Sequence, residues 1–274
     1  MTLLIQISDP HFGTERVPVV EALVRMVHEQ APALVVLSGD ITQRARPAQF
    51  RAARAFVDRL RVPAVLAIPG NHDIALYDLA SRLLRPYGNH RRAFGPDLEP
   101  SFESEALLVV TVNTTRPYLH EKGAVSGAQI ERVARRLERA GEAQVRIVVT
   151  HQPVSVTRPE DRPDLLRGHE RATRRWSAAG ADLVLGGHIH LPFVQALHEV
   201  HAGLPRRVWA VQAGTAVSAR VRSEADNSVN LIRCVGAQVS RRCIVERWDF
   251  QAAAQRFALV AVDELQFDAS GRAH

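Results

Sequence analysis

The chain has 274 residues, 46% hydrophobic and 23% charged, with a formal net charge of +6 and an isoelectric point near 10.2. That apolar share supports a sizeable core and argues against a disordered chain. No apolar run is long enough to cross a bilayer, and the opening "MTLLIQISD" lacks the features of a secretory leader. A cytoplasmic protein without membrane insertion is expected.

The basic balance comes almost entirely from arginine, Lys122 being the only lysine. The runs "RVARRLERA" and "RATRRW" lie on helical patterns with acidic residues mixed in, where arginine covers a solvated face. Aromatic residues make up 5% and do not interleave with them, so nucleic acid is disfavoured as a partner. A positive field still favours anionic ligands such as phosphates.

In chain order, "LLIQISD", "ALVVLSGD", "PAVLAIPGNHD", "ALLVVTVNTT", "VRIVVTHQP" and "ADLVLGGHIH" read as strands, several continuously apolar as in sheets covered on both faces. Between them, "PAQFRAARAFVDRL" reads as a helix with Pro47 in its first turn. "SGAQIERVARRLERAG" reads as another, with Ser126 and Gln129 as a capping box and a stop at Gly141. The alternation predicts an α/β fold with a parallel or mixed sheet.

From Pro192 the pattern changes to β segments without helices, which predicts a second, largely antiparallel sheet over about 191–250 and a tail over about 251–274, all within one domain. Cys234 and Cys243 fall in a predicted hairpin turning near Gly236 and Ala237. That register sets Cys234 opposite Val239 and the thiols about 13 Å apart, too far to bridge.

The strand ends carry the chemistry: "SDPH", "SGD", "PGNHD", "THQP" and "GGHIH". Any one is an ordinary loop. Five in succession behind β runs place carboxylates, imidazoles and an amide where α/β sheets form ligand sites. His188 and His190, two apart, are expected on one side of an extended segment. A mixed nitrogen and oxygen set of this kind suits two divalent transition metals, with one carboxylate between them.

The series D-x-H, G-D, G-N-H-D, H and G-H-x-H resembles the calcineurin-like metallophosphoesterase family, and most of all its bacterial class III cyclic-nucleotide phosphodiesterases. The resemblance implies a four-layer αββα sandwich of two mixed sheets flanked by helices, with a dinuclear site at strand C-terminal ends. It implies that Asp9, His11, Asp40 and His190 hold one metal and that Asp40, Asn71, His151 and His188 hold the other, the ions being Mn, Fe, Zn or Co. His72 would assist the leaving group, Asp73 would orient its imidazole, and Gly70 would let the backbone turn. The implied substrates are small phosphodiesters, 3′,5′-cyclic AMP foremost. Glycerophosphodiesters, nucleic acid and phosphomonoesters stand as alternatives, and a silent interaction scaffold as one of another class.

Asn113 and Thr114 read equally as a turn or as phosphate contacts. Arg44, Arg46, Arg220 and Arg222 are solvated by default, with anion binding as the alternative. His28, His120, His169, His201 and His274 show no partner pattern. Oligomeric state is open, and a homodimer is compatible with this reading.

Overall fold

The computed structural model describes residues 1–76, 78–236 and 241–268. The first half alternates as the sequence suggests: β1 (Thr2–Ile7), α1 (Val17–Gln30), β2 (Leu34–Ser38), α2 (Pro47–Leu60) and β3 (Val65–Ile68). Two short helices follow, α3 (Leu79–Leu84) and α4 (Gly88–Phe94), then β4 (Ser101–Glu103), β5 (Leu107–Thr111), α5 (Gly127–Glu138), β6 (Val145–Val149), α6 (His169–Ala178) and β7 (Leu183–Gly186). The chain ends with β8 (Phe193–Ala196), α7 (Leu197–Val200), β9 (Trp209–Gln212), β10 (Ser228–Val235), β11 (Arg242–Gln251) and β12 (Arg256–Gln266).

These strands build two six-stranded sheets, ordered β12-β11-β10-β1-β2-β3 and β4-β5-β6-β7-β9-β8. The strands β1, β2 and β3 run parallel, as do β5, β6, β7 and β9. Strand alternation sorts side chains between layers. In β1, Leu3, Ile5 and Ile7 pack outward with Leu23 and Val27 of α1 and Phe56 of α2. Leu4 faces the other way and meets Val36, Ile68, Val109, Ile147 and Leu185 between the sheets. Ile130, Val133 and Leu137 of α5 and Trp176 of α6 cover the far side of the second sheet. The order is thus helix, sheet, sheet, helix, which is why the central strands read as continuously apolar. The Ser126–Gln129 capping box is present at the start of α5.

The C-terminal third departs from the expected separate antiparallel sheet. β8 and β9 extend the second sheet, with β9 parallel to β7, whereas β10, β11 and β12 add antiparallel to the free edge of β1. An edge strand exposes a row of unpaired backbone groups, and β10 satisfies those of β1. A short helix, α7, interrupts the expected helix-free run, and the expected tail includes the 11-residue β12. The chain passes from β9 in one sheet to β10 in the other through 213–227, a segment that reaches the end of β1, where the Ala216 N–H donates to the Ser8 carbonyl.

The cysteine expectation is also corrected. β10 and β11 pair as far as Val235↔Arg242, a register that does not set Cys234 opposite Val239. Cys234 lies directly opposite Cys243, with Cα atoms 4.3 Å apart, and the two form a disulfide. Ala237 and Val239 lie outside the described residues, as does His274.

His90 on α4 is fully buried against Phe50 and Phe94, and neither ring nitrogen has a hydrogen-bond partner among the described residues. Burial, with Arg91 nearby, depresses its pKa from 6.5 to about 4. A folded-state value below the unfolded one means that the unfolded chain takes the proton first, so stability present above pH 6.5 is lost as pH falls towards 4. Between pH 7 and 5 this one group should cost about 2 kcal/mol. Denaturant unfolding of His90→Leu should show a shallower acid-side loss than the parent by that amount; parallel curves would remove His90 as the cause.

Candidate metal centre

The five expected motifs arrive at one place. Asp9 and His11 follow β1, Asp40 follows β2, and Asn71–Asp73 form a single 3₁₀ turn after β3. His151 follows β6, and His188 and His190 follow β7. All are C-terminal ends of parallel strands, three in one sheet and two in the other. The loops are laced by backbone bonds from Asp9 to Gly39 (3.1 Å), His11 to Asp40 (3.0 Å) and Phe12 to Ile41 (2.9 Å).

Nine non-glycine residues take the left-handed conformation among the described residues, and five of them are Asp9, His11, Asp40, His188 and His190. That conformation costs roughly 1–2 kcal/mol each for side chains with a Cβ. Strain concentrated on one set of side chains marks a site whose geometry outranks local preference. His188 and His190 are therefore not extended, as expected, but in left-handed turns that send their rings to different partners.

Three overlapping clusters result: Asp9–His11–His190, His11–Asp40–His72 and Asp40–His151–His188, each with ligating atoms within 4.8 Å of one another. Asp9 Oδ1 is 3.4 Å from His190 Nε2, which faces His11 Nε2 at 3.0 Å. Asp40 divides its oxygens: Oδ1 lies 3.3 Å from His151 Nε2, and Oδ2 lies 3.8 Å from His11 Nε2 and 4.0 Å from His72 Nε2. Asn71 Oδ1 is 3.1 Å from His151 Nε2.

The electrostatics ask for positive charge. Burial raises the Asp9 carboxyl, but the charges of His190 and His151 outweigh it and hold it at about 2. Asp40 likewise stays well below the carboxylate range, burial being outweighed chiefly by His151. Burial pushes His151 down, yet Asp40 and Asp9 carry it up to about 9. His11, dominated by burial, falls to about 3. Two buried carboxylates, four converging imidazoles and an amide oxygen fit a pair of divalent transition ions.

Other expected residues fall differently. His72 is 27% exposed, with Nδ1 donating to the Gln43 carbonyl at 2.9 Å and Nε2 3.0 Å from Arg220 Nη1. Asp73 does not orient it. Its carboxylate accepts from the backbone N–H groups of Ile41 (2.9 Å), Thr42 (2.8 Å) and Gly70 (2.9 Å) and from the Thr42 hydroxyl (2.8 Å). Asp73 thus ties the Asp40 loop to the Asn71 loop. Gly70 has an ordinary extended backbone; a Cβ there would overlap the backbone nitrogen and Oδ1 of Asp40, so space rather than turning requires glycine.

Arg220 reaches the cleft, whereas Arg222 pairs with Asp161 (2.8 Å) and donates to the Ile189 carbonyl (3.1 Å). Asn113 Oδ1 accepts from the backbone N–H and hydroxyl of Thr115, and the buried Thr114 hydroxyl donates to Gln152 Oε1 at 2.5 Å, so both shape the loop. Arg44 lines a cavity of about 200 Å³ beside His72 with Gln43, Ile74, Leu76 and Arg82. Sequence reasoning missed Gln43 and Ser38, whose backbone carbonyls hold His72 and His151 (2.9 Å each). A carbonyl role leaves no trace in residue type.

A two-sheet sandwich with paired His/Asp clusters at its strand ends defines a metal-dependent phosphoesterase class. The family model for calcineurin-like phosphoesterase matches residues 2–192. A "Probable cyclic nucleotide phosphodiesterase" of Synechococcus sp. is 28% identical over 215 residues, 71% of this chain and 76% of that protein. "Glycerophosphodiester phosphodiesterase GpdQ" of Enterobacter lignolyticus is 27% identical over 165 residues, 56% of this chain and 57% of that protein. The yellow lupin purple acid phosphatase PPD1 superposes with a TM-score of 0.65 at 10% identity, over 97% of this chain and 53% of that one, which speaks to the fold alone. The chain belongs to the calcineurin-like phosphoesterase family, a family of metal-dependent hydrolases.

Stripping divalent ions with a chelator should lower the melting temperature, and Mn²⁺ should restore it; an ion at a hundred times its dissociation constant adds about 2.7 kcal/mol. An unchanged melting curve would count against a built cation site. Asp73→Ala strands four donors and should cost at least about 3 kcal/mol by denaturant unfolding.

Proposed function

We propose that this chain hydrolyses small phosphodiesters, 3′,5′-cyclic nucleotides foremost, at a pair of divalent metal ions. The observation that carries this is the carboxylate of Asp40, one oxygen turned to each cluster, with His72 and Arg220 facing the same cleft. Asp9, His11, Asp40 and His190 would hold one ion, and Asp40, Asn71, His151 and His188 the other. The bound ions supply Lewis-acid charge for the phosphoryl oxygens and acidify the attacking water.

The chain's own residues do the rest. Asp9 and Asp40 supply the negative charge that retains two dications, while His and Asn donors bind without adding more. Arg220 presents its guanidinium to the non-bridging oxygens of the phosphate and fixes the ester for in-line attack. His72 keeps its Nδ1–H on the Gln43 carbonyl, so Nε2 is the atom that faces the cleft. Nε2 accepts from Arg220 Nη1 in the free site; with that guanidinium turned to the phosphate, Nε2 would take a second ring proton from solvent and pass it to the departing alkoxide. The cavity beside it, apolar at Ile74 and Leu76, basic at Arg44 and Arg82 and acidic at Glu121, would receive the nucleoside, which keeps the leaving oxygen when the cyclic ester opens. Its size and mixed lining suit a nucleoside better than an acyl chain, in keeping with the Synechococcus relative.

With Mn²⁺ present, a panel of 3′,5′-cyclic nucleotides, glycerophosphodiesters, monoesters and nucleic acid should give its highest kcat/KM on cyclic AMP. Preference for glycerophosphodiesters would overturn the substrate reading and leave the chemistry standing. His72→Ala should keep its metal content and lose at least about 100-fold in diester turnover. Asp40→Ala should lose both; an Asp40→Ala protein with full activity would remove the shared-ligand role.

A further inference from the structure

Three imidazoles of the site rest one nitrogen on a neutral backbone carbonyl: His72 on Gln43 (2.9 Å), His151 on Ser38 (2.9 Å) and His190 on Arg220 (2.7 Å). His188 is held differently. Its Nδ1 is buried with no hydrogen-bond partner among the described residues, and its Nε2 faces the carboxylate of Asp164 at 3.6 Å. Asp164 closes the 3₁₀ turn Pro159–Asp164. The same turn is anchored through Asp161 to Arg222, which donates to the carbonyl of Ile189, the residue after His188. The turn therefore grips His188 by its ring and by the adjoining backbone.

On the dinuclear reading above, we propose that Asp164 is a positioning residue that orients His188 and makes the Asp40–His151–His188 cation site depend on a charged outer partner of a kind that the other site does not show among the described residues. A neutral imidazole carries one ring proton. A carboxylate beside Nε2 favours the tautomer protonated there and leaves the Nδ1 lone pair for a metal ion, the usual arrangement behind ligating histidines. At 3.6 Å the pull is electrostatic rather than a formed hydrogen bond. Asp164 is 37% exposed, with Lys122 and Arg222 also nearby, so solvent and these cations temper it without replacing it. The two sites are consequently unequal: loss of Asp164 weakens one ion and spares the other.

The test is calorimetric titration of metal-stripped protein with Mn²⁺, with ions counted per chain, for the parent, Asp164→Asn, Asp164→Ala and His188→Ala. The parent should bind two ions. The Asp164 variants should keep one at parental affinity and weaken the other 10–100-fold. Placed on His188→Ala, Asp164→Asn should add nothing, because its effect runs through that ring. Two ions at parental affinity in both Asp164 variants would overturn the proposal while leaving the dinuclear reading intact. So would an effect that persists without His188, or a stripped variant melting well below the stripped parent with both ions weakened. A parent that binds no stoichiometric Mn²⁺ would overturn the dinuclear reading, and this proposal with it.

Discussion

Two carboxylates, Asp9 and Asp40, are buried at the catalytic edge with imidazoles as their charge partners. Holding such charges out of water costs several kcal/mol apiece unless a cation compensates them. Everything around them serves that compensation: the left-handed backbone at five residues, the laced loops and the raised pKa of His151. The fold supplies a stiff frame on which an otherwise unfavourable constellation can persist, because its remaining layers are conventional apolar packing.

The parallel half of each sheet and the five motif-bearing strand ends were legible because they depend on local pattern. A continuously apolar run followed by Asp, Asn or His is visible without knowing its neighbours. The separation of clusters was also anticipated by family resemblance, although the reason imagined for His188 and His190 was wrong. A period of two describes an extended segment, and left-handed turns do not obey it.

What stayed hidden depends on partners distant in the chain. Nothing within β10–β12 says that the free edge of β1 will recruit them. The cysteine register is not legible because it is set by how β10 and β11 pair along their whole length, which puts Cys234 opposite Cys243. In sequence Asp73 reads as the partner that orients His72 and Arg222 as a solvated or anion-binding side chain, yet both are consumed in tying loops together. Gly70 reads in sequence as a residue that lets the backbone turn, whereas the constraint is the space taken by Asp40. Conversely, Gln43 and Ser38 act through carbonyls, which every residue possesses.

Two of the three histidine–carboxylate clusters draw on both layers of the sandwich. Asp9 and His11 from one sheet meet His190 from the other, and Asp40 meets His151 and His188. An ion held by either of these two clusters would tie the two sheets together, so the gap between the sheets bears on how well the residues can hold it. Side chains such as Val36 and Ile147, far from any chemistry, determine that gap by their bulk. Core packing between the sheets and the spacing of the ligating side chains are thus parts of one mechanical frame.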